Sequence, residues 1–283
     1  MTNTIENMPL VGFGVYQIAP ADCERAVREA LEVGYRLIDT AQAYYNEEGV
    51  GRGIKASGLD REEIFITDKV WISNAGEQAA LKSIDGSLKK LQTDYIDLML
   101  IHQTFGDYYG TWRAMERALA AGKVRAIGLS NFHGARLVDM LRHCEIKPAV
   151  LQAETHVFYQ EEPTRRLMEP YGMRLMAWSP LAQGGQGIFT HPVLSAIAKA
   201  HGRSTAQVAL RFLTQQGIVV IPKSVHKERM VENLHSTDFE LSASEMQTLK
   251  GLDTGKGCVD FNSPEFAAFI IDYDVKFNPE RQA

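Results

Sequence analysis

Short apolar runs of the sequence are repeatedly followed by side chains that could take part in acid–base chemistry or bind a ligand. In a parallel sheet the carboxyl ends of the strands face one side, and in a barrel they converge on one mouth, where barrel enzymes carry out their chemistry. Contact with solvent accounts for one or two polar residues at such ends, but not for an acid, a lysine, a histidine and a tryptophan. In chain order these side chains are Asp39, Lys69, His102, Ser130 and Asn131, Gln152, Trp178 and Ser179, and Lys223 and Ser224.

The apolar runs predict eight buried strands that are rich in Ile, Val, Leu and Phe. They cover residues 10–16, 37–40, 64–67, 96–101, 124–129, 149–153, 174–177 and 218–221. Segments with helical spacing of apolar residues lie between them, most clearly at residues 22–33, 78–91 and 205–214. This alternation predicts the α/β class and a single-domain (β/α)8 barrel, or TIM barrel, over residues 1–283. An open doubly wound sheet has the same alternation, and periodicity does not separate the two.

The composition is that of a globular protein. The chain has 283 residues, of which 45% are hydrophobic and 23% charged, so it can bury a large core. A formal charge of −5 without clustered Lys or Arg argues against a nucleic-acid partner. No apolar run approaches the roughly 20 residues of a membrane helix, and the first residues lack the pattern of a secretory signal. The cysteines Cys23, Cys144 and Cys258 lack metal-ligand spacing, so we expect no bound metal and a reducing cytoplasmic location.

One glycine motif suggests a dinucleotide site but lies in the wrong place. Residues 51–56 (GRGIKA) match the GxGxxA pattern. That pattern binds pyrophosphate only when a strand directly precedes it, whereas Asn46 and two glutamates precede it here. We therefore interpret Gly51 and Gly53 as positions of close helix packing.

Three longer segments carry distinctive combinations of residues. They are residues 34–51 (GYRLIDTAQAYYNEEGVG), residues 122–132 (GKVRAIGLSNF), and residues 221–225 (IPKSV) followed by Arg229 and Asn233. In order and spacing they resemble the three signatures of the aldo-keto reductases, and the resemblance extends from about Leu10 to Asp253. Trp178 stands where many relatives have tyrosine. A tryptophan at this position resembles the 2,5-diketo-D-gluconate reductase branch of prokaryotes. The resemblance implies a (β/α)8 barrel that binds NADP(H) without a Rossmann fold.

The resemblance also implies a catalytic set of Asp39, Tyr44, Lys69 and His102. Carbonyl reduction needs a proton donor for the oxygen, and Tyr44 would supply it; the spacing from Asp39 selects Tyr44 over the adjacent Tyr45. The free pKa of tyrosine, about 10, makes it a weak acid, so we expect the Lys69 ammonium to lower it. Asp39 would pair with Lys69, and His102 would donate a hydrogen bond to the substrate oxygen.

The same resemblance implies a set of residues that bind NADPH. Ser130, Asn131 and Gln152 would bind the nicotinamide carboxamide, and Trp178 would stack on the ring. The loop over residues 179–187 would cover the pyrophosphate, and a basic cluster after the eighth strand would bind the 2′-phosphate and so favour NADPH over NADH. The further members are Ser179, Leu181 and Gln183 in the loop, Lys223, Ser224 and Arg229 at the phosphate, and Val225, Glu232 and Asn233 at the adenine.

The substrate pocket is expected to be aromatic. Tyr16 and Trp71 would line it together with Tyr44 and His102. The tail, from about residue 254 to 283, would fold across the mouth. Asp68 stands where the family has Ser or Thr, and as the neighbour of Lys69 in a strand it should face the helices.

These inferences together predict an NADPH-dependent reductase of small aldehydes, α-dicarbonyls or keto-sugar derivatives. We expect it to act on a small molecule, to bind neither nucleic acid nor membrane, and to be a monomer. Two alternatives belong to other classes. One is a metal-dependent hydrolase that uses His102 and His156, and the other is a non-catalytic NADP(H)-binding barrel that acts as a sensor or regulatory subunit.

Overall fold

Eight parallel strands form a single sheet in which each strand pairs with the next in the sequence. The computed structural model of the chain describes residue 3, residue 5 and residues 7–273. Gly12 N–H donates to Val220 O at 2.8 Å, and Val220 N–H donates to Leu10 O at 2.8 Å, so the last strand pairs with the segment before the first. This pairing closes the sheet. The strands are β1 (Phe13–Gly14), β2 (Leu37–Asp39), β3 (Phe65–Val70), β4 (Ile96–Ile101), β5 (Val124–Ser130), β6 (Val150–Glu154), β7 (Arg174–Trp178) and β8 (Val219–Val220).

Helices follow the strands and surround the barrel, so the predicted single-domain (β/α)8 fold is confirmed. Local signals set their ends: Gly34, with a φ of 122°, ends the first helix, and Ser204 and Gln207 form a capping box at the eighth. Within the described chain, no helix combines the length and apolar character needed to cross a membrane. The helices are α1 (Pro20–Val33), α2 (Glu47–Ser57), α3 (Glu77–Leu91), α4 (Tyr108–Ala120), α5 (Gly134–His143), α6 (Glu162–Met168), α7 (Pro192–His201), α8 (Thr205–Thr214), α9 (Lys227–Leu234), α10 (Ala243–Lys250) and α11 (Pro264–Ile271).

The buried side chains form two layers because successive residues of a strand point to opposite faces. Leu100 belongs to the cluster inside the barrel, whereas Met99 belongs to the larger cluster between strands and helices. Lys69 is paired in register with Leu100, and Asp68 is paired with Met99. Lys69 therefore points into the barrel and Asp68 towards the helices, as predicted.

Two strands, β1 and β3, differ from the prediction by more than one residue at an end. β3 continues to Val70 instead of ending at Thr67, and its pairing with β4 extends from Thr67 to Val70. Lys69 thus lies within a strand, which is possible because its charge finds partners inside the barrel. β1 contains only Phe13 and Gly14, although hydrogen bonds on either side of it still join its flanks to the sheet.

The glycines of the GxGxxA segment lie in α2 and permit close helix packing, as interpreted from the sequence. A Cβ atom at Gly51 would lie 2.7 Å from the backbone of Leu91 at the end of α3. At Gly53 it would lie 2.8 Å from Glu24 O in α1. These glycines let α2 approach both neighbouring helices.

Candidate active site

A buried lysine, aspartate and tyrosine meet at the carboxyl end of the barrel. Asp39 ends β2, Lys69 lies in the adjacent β3, and Tyr44 lies in a 3-10 turn, Gln42–Tyr44, just beyond β2. The Lys69 ammonium donates to Asp39 Oδ1 at 2.6 Å, to Thr40 O at 2.7 Å and to Tyr44 OH at 3.3 Å. The predicted Asp39, Tyr44 and Lys69 are thus brought into direct contact.

This contact satisfies a charge that would otherwise be costly to bury. Lys69 has no exposed surface and Asp39 is 2% exposed, and an unpaired buried charge costs several kcal/mol. The three acceptors match the three N–H donors of an ammonium group. The second Asp39 oxygen accepts a hydrogen bond from Gln152 Nε2 at 2.6 Å, so the Lys69–Asp39 pair has little net charge and a single orientation.

The pKa of the Tyr44 phenol is raised and not lowered, which corrects the prediction. Burial raises this pKa well above its usual value, and the carboxylates of Asp39 and Asp68 add to the effect. The Lys69 ammonium, 3.3 Å from the phenol oxygen, does not reverse the direction of this shift. Tyr44 therefore keeps its proton at neutral pH, which is the form a proton donor needs. The Lys69 N–H at 3.3 Å from the phenol oxygen would stabilise the phenolate left after the proton is given.

His102 follows β4 and completes the set as a neutral imidazole. Burial, with a smaller contribution from the Lys69 charge, holds its pKa well below the usual value. Its ring centre lies 5.6 Å from that of Tyr44 and 4.9 Å from that of Trp71. Its Nδ1 is buried with no hydrogen-bond partner in the described chain. Because buried polar atoms are nearly always paired, this imidazole is suited to bind an incoming oxygen.

Aromatic residues surround the opening above these groups. Tyr16 is 40% exposed and its ring centre lies 5.0 Å from that of Tyr44. Two residues of the tail contact this opening. Phe261 packs edge-on against Trp178, with 6.1 Å between the ring centres, and Tyr273 is hydrogen-bonded to Tyr16. Residues 274–283 of the predicted tail lie outside the described residues.

The side chains at the ends of β5, β6 and β7 lie on the other side of the same opening. Trp178 Nε1 donates to Asn131 Oδ1 at 2.8 Å, and Asn131 Nδ2 donates to His102 O at 3.1 Å. Gln152 donates to Asp39 instead of pointing into open space. Ser130 Oγ is buried without a partner in the described chain, and such an orphaned hydroxyl fits the hydrogen-bonding groups of a nicotinamide carboxamide.

A cavity of about 460 Å³ lies beyond β8, beside the start of α9. Lys223 and Arg229 line it and, within residues 7–273, neither forms an ion pair with a carboxylate; burial lowers the pKa of Lys223. Two unpaired cations in one cavity fit the phosphate groups of NADP(H). Of the predicted cofactor residues, those in its lining are Leu181, Lys223, Ser224, Val225, Arg229, Glu232 and Asn233.

Sequence reasoning missed part of this cavity. Ser179 and Gln183 belong to the loop after β7 but lie outside the lining. The lining residues that were not predicted are Phe189, Ser204, Thr205, Ala206 and His226. A usable signal existed for two of them, because the capping box of Ser204 and Gln207 marks the start of α8 at Thr205. Its first turn faces the cavity.

The histidines of the hydrolase alternative lie in different environments. His156 is fully buried and its Nε2 lies 3.1 Å from Glu154 Oε1. His102 lies between Tyr44 and Trp71 and does not belong to that cluster. The two histidines therefore do not form the shared ligand set that this alternative requires.

Comparison with known proteins agrees with this geometry. The aldo/keto reductase family model matches residues 10–254. Glyoxal reductase of Bacillus subtilis is 45% identical over 248 residues, which cover 87% of this chain and 89% of that protein. The structure of a candidate 2,5-diketo-D-gluconic acid reductase B has a TM-score of 0.86, with 35% identity over 91% of this chain and 92% of the other.

A further solved structure bears on the cofactor of the family. The aldo-keto reductase of Bombyx mori, in complex with NADP, has a TM-score of 0.83 and 32% identity, over 89% of this chain and 92% of that chain. In each of these comparisons the match covers most of this chain and most of the other protein. This chain is therefore an oxidoreductase that belongs to the aldo/keto reductase family.

Proposed function

We propose that the chain reduces small aldehydes, α-dicarbonyl compounds or keto-sugar derivatives to alcohols with NADPH. The observation that carries the proposal is the buried Lys69–Asp39 pair, with the Tyr44 phenol 3.3 Å from the Lys69 ammonium. Such an arrangement holds a protonated phenol beside a fixed positive group. It suits a reaction in which a carbonyl oxygen gains negative charge and must receive a proton.

Each of the four side chains has a distinct part in this proposal. Bound NADPH supplies the hydride for the carbonyl carbon. Tyr44 O–H donates its proton to the carbonyl oxygen, and Lys69 N–H stabilises the phenolate that remains. His102 donates an N–H hydrogen bond to the same oxygen and orients the substrate. Asp39 does not touch the substrate; it keeps Lys69 charged and pointed at Tyr44.

We assign the cofactor to the groove that joins the catalytic residues to the cavity beyond β8. The nicotinamide would lie on Trp178, with its carboxamide near Ser130, Asn131 and Gln152. The 2′-phosphate would lie at Lys223 and Arg229, and a preference for NADPH over NADH follows from these two cations. The remaining contacts are proposed for Ser179, Leu181 and Gln183 at the pyrophosphate, Ser224 at the phosphate, and Val225, Glu232 and Asn233 at the adenine.

The proposed substrate class follows from the lining of the opening. Tyr16 and Trp71 flank Tyr44 and His102, and Phe261 covers Trp178. This leaves an aromatic pocket suited to compact carbonyl compounds. The 45% identity to a protein named for glyoxal reduction supports α-dicarbonyls as members of the class.

A single chain in the cytoplasm is sufficient for this activity. One chain carries all four catalytic side chains and both cations, which supports a monomer. Cys23, Cys144 and Cys258 are unpaired thiols, which agrees with a reducing compartment.

The experiment is a turnover assay with purified protein, NADPH and glyoxal, methylglyoxal or a simple aldehyde, with and without a chelator. We expect NADPH to be consumed in proportion to alcohol formed, whether or not the chelator is present. Tight NADPH binding without consumption of any carbonyl compound would contradict the proposal and favour a sensor.

A further inference from the structure

A second buried carboxylate, Glu154, lies at the end of β6 and takes no part in the proposed chemistry. Its side chain is fully buried. Its Oε1 accepts a hydrogen bond from Cys258 N–H at 2.7 Å and lies 3.1 Å from His156 Nε2. Potential ligand atoms of Glu154, His156 and Cys258 lie within 4.8 Å of one another, so a metal site is the first possibility to consider.

The protonation of His156 argues against a metal. Phe158 N–H donates to His156 Nδ1 at 3.3 Å, so Nδ1 carries a lone pair. A neutral imidazole then carries its proton on Nε2, and this N–H donates to Glu154. A metal on Nε2 would require the imidazole proton on Nδ1, where it would face the Phe158 N–H, so the cluster is one of hydrogen bonds to Glu154.

What Glu154 holds is the start of the C-terminal tail. The backbone N–H and the hydroxyl of Thr254 both donate to Phe158 O at 2.9 Å. Gly257 then passes so close to Glu154 that a Cβ atom there would lie 2.8 Å from Oε2. A few residues later, the Phe261 ring packs against Trp178. The tail is therefore anchored at Glu154 directly before it reaches the proposed nicotinamide platform.

The same anchor also touches the loop between β7 and α7. The Cys258 thiol lies beside the side chains of Glu154 and Gln186, and both act on its pKa. Gln186 belongs to the 179–187 loop, in which Ser179, Ala182, Gln183 and Gln186 all have positive φ. Such a backbone is strained for side-chain-bearing residues and depends on its neighbours, of which Cys258 is one.

We propose that Glu154 is a positioning residue that clamps the tail, holds Phe261 on Trp178 and so closes the carbonyl pocket. The inference rests on the proposed function, because it treats that pocket as the binding site of the carbonyl substrate. Glu154 bonds to His156 and Cys258 and, within the described chain, to none of the four catalytic side chains. Loss of the clamp should therefore weaken substrate binding and leave the chemical step largely intact.

The first test is Glu154→Gln, which keeps the shape but removes the negative charge from the group that accepts hydrogen bonds from the Cys258 N–H and the His156 N–H at Oε1. Both hydrogen bonds then lose their charge assistance, and together this should raise the KM for glyoxal about tenfold, with kcat changed less than about twofold. The matched control is Glu116→Gln. Glu116 Oε1 accepts from Trp112 Nε1 at 2.9 Å and from Ile146 N–H at 3.3 Å, away from the mouth, and its loss should leave KM unchanged.

A second variant leaves every buried side chain in place and so does not depend on how Glu154→Gln folds. Gly257→Ala should push the tail away from Glu154, because the carboxylate is held by two donors and cannot easily move. It should raise KM as Glu154→Gln does. Gly86→Ala in α3 is its control, since no atom lies within 4 Å of a Cβ placed there. An unchanged KM in both Glu154→Gln and Gly257→Ala overturns the proposal.

A thiol measurement tests the clamp without any substrate. Cys258 is exposed, whereas Cys23 and Cys144 are buried. Burial and the Glu154 carboxylate raise the pKa of Cys258 to about 11, so a disulfide reagent should modify it slowly in the native protein. Gly257→Ala, which keeps the Glu154 carboxylate and its effect on the thiol pKa, should speed this modification by releasing the tail, and Gly86→Ala should not. An unchanged rate contradicts the clamp even if the chain reduces carbonyls; a faster rate supports it even if the chain reduces none.

Discussion

Two lysines at the same end of the barrel have opposite electrostatic surroundings. Lys69 is fully buried and gives its three N–H groups to Asp39, Thr40 and Tyr44. Lys223 is half-buried and, with Arg229, lines a cavity in which neither cation has a carboxylate partner among the described residues. The first lysine is neutralised inside the protein before any ligand arrives. The second leaves its charge for the ligand, which distinguishes a centre built for chemistry from one built for binding.

The largest expected effect is on the chemical step at Lys69 and its partners Asp39, Thr40 and Tyr44, which we call the closed centre. Tyr44→Phe removes the proton donor and should lower kcat by about 10²–10⁴-fold, with the Kd for NADPH unchanged. Steady-state kinetics and a fluorescence titration of NADPH measure the two quantities. Tyr95→Phe is the control. The Tyr95 hydroxyl is buried without a partner in the described chain. Tyr95 directly precedes β4, so it lies at the opposite end of the barrel. Equal losses in both variants would remove the distinction between the two regions.

The next effect is on stability. Lys69→Met leaves Asp39 as an unpaired buried charge and should lower the free energy of unfolding by about 3–5 kcal/mol, as measured by urea denaturation. The control is Lys123→Met, which removes an exposed ion pair. Lys123 Nζ lies 2.5 Å from Asp85 Oδ1, and the two side chains are 41% and 47% exposed. An exposed pair contributes about 1 kcal/mol or less. If both variants lose the same stability, the Lys69 pair is not the closed centre described above.

A smaller effect is expected at Lys223 and Arg229, the two cations without a carboxylate partner in the described chain. It should change the affinity for one cofactor only. Arg229→Ala removes a charged contact to the 2′-phosphate and should raise the Kd for NADPH about tenfold or more. The Kd for NADH should not change, because NADH lacks that phosphate. Lys227→Ala on the same helix is the control, since Lys227 pairs with Glu32 and lies outside the cavity. An equal loss for both cofactors would place the phosphate elsewhere.

The smallest expected effect is a pH dependence that stays flat through neutrality. Burial first, then Asp39 and Asp68, raises the pKa of Tyr44, so the phenol stays protonated up to and beyond its usual value of about 10. Burial and Lys69 lower the pKa of His102, so the imidazole stays neutral down to and below about 6.5. The profile of kcat/KM at saturating NADPH should thus lose activity only outside this range. A break between the two values would contradict the closed centre.

Most of the fold and the central residues could be predicted because local sequence carries them. Helical spacing predicted residues 205–214, and α8 has those same bounds. Asp39, Lys69 and His102 lie within or just after short apolar runs, so their positions follow once the strands are parallel neighbours. Tyr44 followed from the resemblance to the family and its spacing from Asp39. The direction of the Asp68 side chain, towards the helices, followed from strand alternation alone.

What could not be predicted depends on contacts between distant parts of the chain. The bond from Cys258 to Glu154 joins residues 104 positions apart, and no local pattern encodes it. The direction of the Tyr44 pKa shift was wrong because the sequence indicates which charges are near but not how deeply the phenol is buried. Gln152 was predicted to bind only the cofactor, and its donation to Asp39 required knowledge of how β2 and β6 face each other across the barrel.

The most direct test follows the hydride itself. Wild-type protein and Tyr44→Phe are incubated with glyoxal and NADPH that carries deuterium at both C4 positions, and the product is analysed by mass spectrometry. We expect wild-type protein to form an alcohol with deuterium on the new carbinol carbon, and Tyr44→Phe to form far less of it at the same cofactor occupancy. Unlabelled alcohol, or equal amounts of labelled alcohol from both proteins, would contradict this expectation.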